Sequence, residues 1–373
     1  MRLILPLLVA LIYCFAGGAH ARDSRVVVVI AGSSSIRDFA DPTLPGFPAL
    51  FRKGSAALLN VRAGRPSKDS DPGTKSGFES GCVSLGAGAM ATAGGEAALA
   101  GDALDAMGGT SVYELWKSRT GGQGRHGTEY HTEIAKLARI NAAASYRAKP
   151  GALGSALRAA GINTYILGTS DTADAVHREA VAAAMDSNGV VDGGHVETDD
   201  STRRDTEAPY DLRTSTDRIL SWIHEGLRSS RFVVVDFGDT FRADQYAESC
   251  TDQQAIAIRH AADARLGRFL QVLSRWLDPK KDLLIVLSPN ARGFSEIEGE
   301  KMGAILVSGP GFSGGMLISP STRRPGVVTL CDVAPTVLAF FGLKPPPEMV
   351  GRPMEQTGRG SAASELLDMN QRA

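Results

Sequence analysis

Two carboxylates, Asp236 and Asp239, are the residues whose types and spacing first suggest chemistry. They lie three positions apart, directly after the apolar run at residues 232–235. A short run of β-branched and aromatic residues without polar alternation is typical of a strand buried on both faces of a parallel sheet. Open α/β sheets bind ligands beyond the carboxyl ends of their strands, where both carboxylates would lie. We therefore predict that Asp236 and Asp239 hold one hard divalent cation such as Mg²⁺ or Ca²⁺, and the alternative is that an arginine or a proton lies between the two carboxylates.

The elements that would position these carboxylates appear as alternating apolar runs and amphipathic stretches. Buried strands are predicted at residues 25–32, 56–61, 164–167, 282–287 and 303–307, and helices at 151–160, 216–227 and 251–277. Apolar residues in the last stretch recur at spacings of three and four, which is typical of a helix that covers a sheet. This alternation predicts the α/β class, with a doubly wound, mostly parallel sheet and helices on both faces.

Other segments have weaker signals. Residues 185–196 contain Asn188-Gly189 between two short apolar runs, which predicts a β-hairpin. Residues 87–104 are rich in Ala and Gly and are predicted to include a helix. Residues 197–214 are strongly polar and are predicted to form a surface loop.

Three more polar residues are candidates for a site. Ser84 lies in a glycine-rich turn entering a predicted helix, where backbone N–H groups would stabilise an anion, so we predict it as the nucleophile if the protein is an enzyme. A capping or turn role is the alternative for Ser84. Arg62 ends the second predicted strand and would bind an anion or ester oxygen bidentately, unless it is an ordinary surface residue. Asp171 follows the strand at 164–167 and would assist the cation or the substrate.

The N-terminus has the order of a secretory signal peptide. Arg2 precedes an apolar run at residues 3–16, and Ala19-His20-Ala21 forms an A-x-A cleavage site. The apolar run is shorter than the roughly 20 residues that a membrane-spanning helix needs. We predict a signal peptide at residues 1–21, export to the periplasm or the medium, one domain at 22–355 and a disordered tail at 356–373, with no membrane span after cleavage.

Charge and cysteine content exclude some classes of protein. The chain has 40 basic and 41 acidic residues, so no positive excess points to nucleic acid. Cys82, Cys250 and Cys331 remain after signal cleavage and form no C-x-x-C metal motif. One disulfide among them is compatible with an exported protein, and the sequence leaves its pairing open.

The C-terminal third carries a more specific pattern. A strand ends in Gly309-Pro310-Gly311, a helix begins at residues 332–336 (DVAPT), and a turn follows at Gly351-Arg352-Pro353. This pattern closely resembles the end of the alkaline phosphatase-like superfamily, which includes sulfatases and cofactor-independent phosphoglycerate mutases. The resemblance implies an α/β/α sandwich. It also implies a site in which a Ser, Thr or modified Cys nucleophile lies beside two metal ions.

The metal ligands that the resemblance implies are largely missing. The superfamily has an Asp at the end of the first strand, an Asp and a His after a central strand, and an Asp-His pair after a later one. This chain has Ala31-Gly32 at the first place and Ser288-Pro289-Asn290 at the last, with no histidine in residues 232–255 or 282–373. A two-metal centre needs several anionic and imidazole ligands, so we expect that centre to be lost. The remaining histidines are interpreted as structural or surface residues: His126, His131, His177, His195, His224 and His260.

Two functional hypotheses follow. The first is an exported protein with this fold and a decayed hydrolase site, which binds a small anionic ligand or a partner. The second is a divergent phosphoric or sulfuric ester hydrolase that uses Ser84 and one divalent cation. A polar pocket that contains a metal at the carboxyl ends of the strands would favour the second.

Overall fold

The computed structural model describes residues 23–64, 77–123, 127–293, 301–360 and 362–372. The predicted signal peptide at residues 1–21 and His126 lie outside the described residues. Within those residues, no helix has both the length and the apolar character that are needed to cross a membrane.

Strands occur along the whole described chain. In order they are β1 (Val26–Ile30), β2 (Ser55–Asn60), β3 (Ala100–Asp102), β4 (Ala106–Met107), β5 (Thr110–Ser111), β6 (Glu129–His131), β7 (Thr164–Leu167), β8 (Val190–Val191), β9 (Gly193–His195), β10 (Thr202–Arg204), β11 (Leu212–Thr214), β12 (Phe232–Asp236), β13 (Leu283–Leu287), β14 (Gly303–Ser308), β15 (Met316–Ile318), β16 (Val327–Thr329) and β17 (Glu355–Thr357). The longer ones coincide with the predicted apolar runs, because β-branched residues favour the extended backbone.

The main sheet has the order β17-β15-β2-β14-β13-β1-β12-β7-β9, and β16 pairs with β2. The strands from β13 to β9 are parallel to one another. Strand β14 is antiparallel to both β13 and β2, so β2 ends at the same edge as β1 and β12. The predicted mostly parallel sheet is confirmed, and the predicted central strand lies between β1 and β7.

Helices cover both faces of this sheet. They are α1 (Ile36–Ala40), α2 (Phe47–Lys53), α3 (Phe78–Ala87), α4 (Val112–Thr120), α5 (Ile134–Ala143), α6 (Ala152–Ala159), α7 (Val181–Ala184), α8 (Thr198–Ser201), α9 (Thr216–Ser229), α10 (Asp239–Ala247), α11 (Asp252–Trp276), α12 (Val333–Phe340) and α13 (Ala363–Gln371), with 3-10 turns at Gly95–Ala98, Pro209–Asp211 and Leu330–Asp332. The long α11 starts at Thr251, whose side chain accepts a hydrogen bond from the Gln254 backbone N–H.

The apolar residues form one core on each side of the sheet. The apolar residues of β12 divide between the two cores: Phe232 and Val234 belong to the first, whereas Val233 and Val235 belong to the second. Helices α3, α6, α7 and α12 pack on the first side, and α2, α9, α11 and α13 on the second. Both faces of β12 are therefore buried, as its unbroken apolar sequence predicts.

Some local predictions are corrected by the structure. Residues 185–196 do not form a hairpin, since β8 pairs with β6 in a small sheet while β9 pairs with β7 in the main sheet. The predicted helix at 87–104 is absent from these described residues, where α3 ends at Ala87 and a 3-10 turn and β3 follow. The polar stretch at 197–214 holds α8 and the β10-β11 pair.

The predicted disordered tail at 356–373 also requires correction. Strand β17 pairs with β15, and α13 covers residues 363–371. Leu366 of α13 is buried in the second core, so apolar burial orders this segment despite its polar composition.

Candidate functional site

The carboxyl ends of β1, β7, β12 and β13 meet at one edge of the sheet, and the two predicted cation ligands lie there. Asp236 is the last residue of β12, and Asp239 is the first residue of α10. Both side chains are buried. The prediction that one strand end brings these carboxylates to a common edge therefore agrees with their observed positions.

The charge of Asp239 is neutralised by arginines. Its Oδ1 accepts hydrogen bonds from Arg242 Nη2 at 2.8 Å and from the Thr214 backbone N–H at 2.7 Å. Its Oδ2 accepts one from Arg265 Nε at 2.6 Å. Burial acts to raise the pKa of Asp239, but the charges of Arg242 and Arg265 outweigh it and lower the pKa below its ordinary value. Asp239 is an ionised carboxylate whose counter-charges are two guanidinium groups.

Arg242 also ties together the loops at this edge. Its side chain is fully buried and donates to the backbone carbonyls of Thr169 at 3.0 Å and Asp171 at 3.2 Å. Its Nη2 also donates to Thr214 Oγ1 at 2.8 Å. The Arg242 guanidinium thus connects α10 to the loop after β7 and to β11. A hydrated metal ion would not make the same set of directional hydrogen bonds.

Asp236 has a different environment. Ser170 Oγ donates to its Oδ1 at 2.8 Å, and its Oδ2 has no hydrogen-bond partner among the described residues. Burial raises the pKa of Asp236 to about 7, more than the Ser170 hydrogen bond and the charge of Arg242 lower it. The carboxyl group is therefore partly protonated at neutral pH, and a protonated carboxyl is a poor ligand for a hard cation.

The ends of β1 and β13 carry neutral groups. Asn290 Nδ2 donates to Ser33 Oγ at 2.8 Å, and Asn290 Oδ1 accepts from the Ser33 N–H at 2.9 Å. Ser288 Oγ accepts from the Ser34 N–H at 3.0 Å. These are the places where the resemblance implies metal-binding Asp and His side chains. Here the two loops bind each other directly through hydroxyl and amide groups.

A second buried guanidinium lies beside these loops. Arg259 of α11 donates to the Ser33 carbonyl at 2.7 Å, to Ser34 Oγ at 2.7 Å and, through Nε, to Asp263 Oδ2 at 2.9 Å. It also pairs with Asp38 at 3.2 Å, and Asp38 binds Arg292 as well. Arginine and aspartate thus alternate across the edge next to β1, along a small cavity of about 220 Å³.

Asp171, predicted to assist a cation or substrate, is occupied by protein groups. Its Oδ1 accepts from the His177 N–H at 2.5 Å, and its Oδ2 accepts from Thr198 Oγ1 at 2.6 Å and from Arg178 Nε at 3.2 Å. The side chain is buried. These contacts assign Asp171 to the folding of the loop after β7.

Ser84 lies inside α3 and is fully buried. Its Oγ donates to the Ser80 carbonyl at 2.6 Å and accepts from the Ala91 N–H at 2.9 Å. A hydroxyl with these two backbone partners stabilises the chain reversal after α3. The geometry favours the turn role that the sequence leaves open and places no described base on Ser84 Oγ.

Arg62 is exposed just beyond β2 and lines two hollows in the surface. The outer hollow has a volume of about 540 Å³ and is lined by Arg62, Met90, Thr92, Ile140, Ser145 and Tyr146, among others. The inner hollow, of about 190 Å³, is lined by Arg62, Asn60, Met90, Ser321, Cys331 and Val350, among others. No acidic side chain lines either hollow within the described residues, and the Arg62 guanidinium makes no ion pair there.

The structure does not bring all the predicted residues into one site. Strand β12 lies four positions from β2 in the sheet, across β14, β13 and β1. At roughly 4.8 Å per strand, Arg62 is about 19 Å from Asp236 along that edge. Arg62 and the two carboxylates therefore belong to separate parts of the same edge.

His177 forms a pair with Glu179 that was not predicted from the sequence. His177 Nδ1 lies 3.1 Å from Glu179 Oε1, and Glu179 is buried. Burial acts to lower the pKa of His177, but its hydrogen bond with Glu179 and the charge of Glu179 raise the pKa above its ordinary value. Burial raises the pKa of Glu179 as well. The His-x-Glu spacing was the one available signal for this pair.

An arginine counter-charge was the alternative to the cation, but the sequence did not identify Arg242, Arg259 or Arg265 in this role. Arg242 follows Asp239 by three residues and Arg259 precedes Asp263 by four, which are helix-neighbour spacings visible in the sequence. Within the described residues, no group of three or more His, Cys, Asp or Glu side chains is arranged to hold a metal ion. Cys82, Cys250 and Cys331 are free thiols.

No family model matches the chain, and no curated protein matches it. Solved structures are similar over most of its length. A protein in the alkaline phosphatase superfamily from Vibrio parahaemolyticus has 13% identity and a TM-score of 0.49, covering 90% of this chain and 70% of its own. The lipoteichoic acid synthase LtaP from Listeria monocytogenes has 11% identity and a TM-score of 0.47, with 92% and 76% covered. An alkaline phosphatase from the Antarctic bacterium TAB5 has 9% identity and a TM-score of 0.43, with 85% and 98% covered.

Proposed function

We propose that this protein is an exported, non-catalytic binding protein for a small organic anion. In this proposal its alkaline phosphatase-like fold is retained, and the two-metal ester-hydrolase site of that superfamily is replaced by arginine ion pairs. The observation that carries the proposal is the position of Asp239 between Arg242 and Arg265.

The ion pairs argue against metal-dependent hydrolysis at this edge. A dication would have to displace two guanidinium groups from Asp239, one of which is fully buried and makes three further hydrogen bonds. Removing one partner of a buried ion pair is strongly unfavourable, because the other charge remains without compensation. In this proposal Asp239 therefore stabilises the fold through ion pairs and does not bind a metal ion.

The surface around Arg62 provides an anion site elsewhere on the same edge. Arg62 carries the formal charge of the two hollows, whose other described lining residues are hydroxyl, amide, thiol and apolar groups. An arginine with free N–H groups binds a carboxylate or an oxyanion through two parallel hydrogen bonds. The apolar lining favours an organic anion over an inorganic one.

Export is part of the same proposal and rests on the N-terminal sequence. N-terminal sequencing of secreted material should begin at Arg22, directly after Ala19-His20-Ala21. An intact Met1 on protein recovered from the cytoplasm would contradict export without affecting the binding proposal.

Calorimetric titration of the purified mature protein tests the binding proposal. The probes are 2-methylpropanoate, sulfate and inorganic phosphate. We expect one-to-one binding of the organic anion, reduced at least about tenfold by Arg62→Ala, since charge-assisted hydrogen bonds contribute roughly 1.5–3 kcal/mol each. Arg268→Ala is the matched control, because Arg268 is an exposed arginine on α11 away from both hollows.

Two results would refute the proposal. One is the absence of binding by every anion, and the other is equal binding by the Arg62→Ala variant and the parent protein.

One observation favours the alternative of a divergent ester hydrolase. His177 is partly exposed, and Glu179 orients its ring as a carboxylate orients a general base. The alternative predicts turnover in a screen of generic phosphate and sulfate esters that His177→Gln abolishes. Turnover of that kind would overturn the non-catalytic part of the proposal.

A further inference from the structure

The two hollows share walls. Arg62 and Met90 line both of them, so the two hollows adjoin at these residues. A ligand anion that binds Arg62 would therefore have space for apolar groups in two adjoining hollows. A binding site for a terminal anion, such as a fatty acid head group, needs space in one hollow alone.

Each hollow is lined by an exposed apolar side chain. Tyr146 in the outer hollow is 52% exposed, and Val350 in the inner hollow is 53% exposed. Large apolar side chains that are exposed at a concave surface gain free energy when a ligand covers them. Both hollows thus offer apolar contact next to the same positive charge.

The backbone holds the inner hollow in place. The Val350 and Gly351 N–H groups both donate to the Gly88 carbonyl, at 3.0 and 3.1 Å, which joins this segment to the end of α3. Cys331 and Ser321 lie on the same hollow, and Ser321 Oγ donates to the buried Asp332. These contacts make the inner hollow a formed feature of the fold, with Val350 as its exposed wall.

We propose that the ligand is an organic anion whose charged group lies within the molecule, flanked by two apolar arms, with one arm in each hollow. This inference rests on the proposed function and specifies the ligand class of the Arg62 site. The guanidinium binds the internal charge, Tyr146 contacts the longer or bulkier arm, and Val350 contacts the shorter one.

Two isomeric carboxylates test this geometry. Octanoate and 2-propylpentanoate have the same formula and charge, but the carboxylate is terminal in the first and internal in the second. We expect calorimetry on the mature protein to show about tenfold tighter binding of 2-propylpentanoate. A fully buried methylene changes affinity roughly fourfold, and the second three-carbon arm is partly buried in the half-open inner hollow.

Two variants test whether the inner hollow produces the preference for 2-propylpentanoate. Val350→Ser should remove most of the preference for 2-propylpentanoate over octanoate. Val176→Ser is the matched control, because Val176 is also an exposed valine, at 42%, but lines neither hollow. Both substitutions are at exposed side chains, and thermal melting would verify that both variants fold.

The outcomes separate this inference from the proposed function. Equal binding of the isomers, or tighter binding of octanoate, together with loss of binding in Arg62→Ala, overturns the two-armed ligand and leaves the anion-binding function intact. An unchanged isomer preference in Val350→Ser overturns the assignment of the inner hollow. No binding of any of the three carboxylates overturns the function and the inference together.

Discussion

Replacing Arg242 with methionine tests whether arginine ion pairs, and not a metal ion, hold the carboxyl edge of the sheet. Methionine keeps most of the side-chain length and removes the charge and the donors. In the parent protein the Arg242 guanidinium is fully buried and donates to Asp239, Thr214 and two backbone carbonyls. The variant leaves these acceptors without that donor.

The expected cost follows from these contacts. Breaking a buried ion pair by removing one partner typically destabilises a protein by about 3–5 kcal/mol, because the remaining charge is buried without compensation. Arg265 still binds Asp239 Oδ2 and moderates the loss. The unpaired carbonyls of Thr169 and Asp171 add to it. We therefore expect Arg242→Met to lower the free energy of unfolding by roughly 3–5 kcal/mol.

Urea unfolding followed by circular dichroism measures this change. With a slope near 3 kcal/mol per molar urea, the midpoint should fall by about 1 M or more. Arg268→Met, at an exposed position of α11, is the control and should shift stability by less than about 0.5 kcal/mol. Adding Asp239→Asn to Arg242→Met should recover part of the loss, because the amide carries no charge to bury.

A loss below about 1 kcal/mol for Arg242→Met would refute the reasoning, since it would show that the pair is solvated or absent. A double variant less stable than Arg242→Met would show that the uncompensated charge of Asp239 is not the source of the loss.

Three further predictions concern the same sheet. Val234→Asp places an unpaired charge between two parallel strands and should cost several kcal/mol, so soluble protein with near-parent stability in a thermal melt would disprove the central position of β12. Because burial raises the folded-state pKa of Asp236 to about 7, its stabilising contribution is fully present below pH 4 and is lost as the pH rises through 7. In urea titrations, the free energy of unfolding of Asp236→Asn relative to the parent protein should rise by roughly 2–4 kcal/mol between pH 4 and pH 8. Parallel pH profiles of the two proteins would contradict this. Mg²⁺, Ca²⁺, Mn²⁺ and Zn²⁺ should leave the parent melting temperature within about 1 °C of its metal-free value, whereas a rise that Asp236→Asn abolishes would restore the metal-site hypothesis.

The strands and the long helix were determined by the sequence itself. The apolar residues of β1, β12 and β13 form unbroken runs because both faces of each strand are buried, and that pattern is visible without tertiary information. Helix α11 could be predicted from its apolar spacing and from Thr251 at its start, which are local signals.

The partners of the polar side chains were decided by the tertiary structure. Arg265 reaches Asp239 across 26 residues, and Arg259 reaches the Ser33 carbonyl across 226. A carboxylate after a strand has the same sequence signature whether its counter-charge is a metal ion or an arginine. Arg242, three residues after Asp239 on α10, is a local signal for one counter-charge, whereas the second, Arg265, depends on how α11 packs over that strand end.

The predicted hairpin of β8 and β9 is wrong for the same reason, because contacts with distant segments decide how these strands pair. Residues 185–196 contain the turn and the short runs of a hairpin, yet β9 pairs with β7 because its glycines permit close approach. A Cβ at Gly193 would lie 2.5 Å from the Tyr165 ring, and one at Gly194 would lie 2.4 Å from the Ile166 carbonyl oxygen. The sequence determined which segments form strands and helices. Packing between distant segments determined which strands pair and which distant arginine neutralises a buried carboxylate.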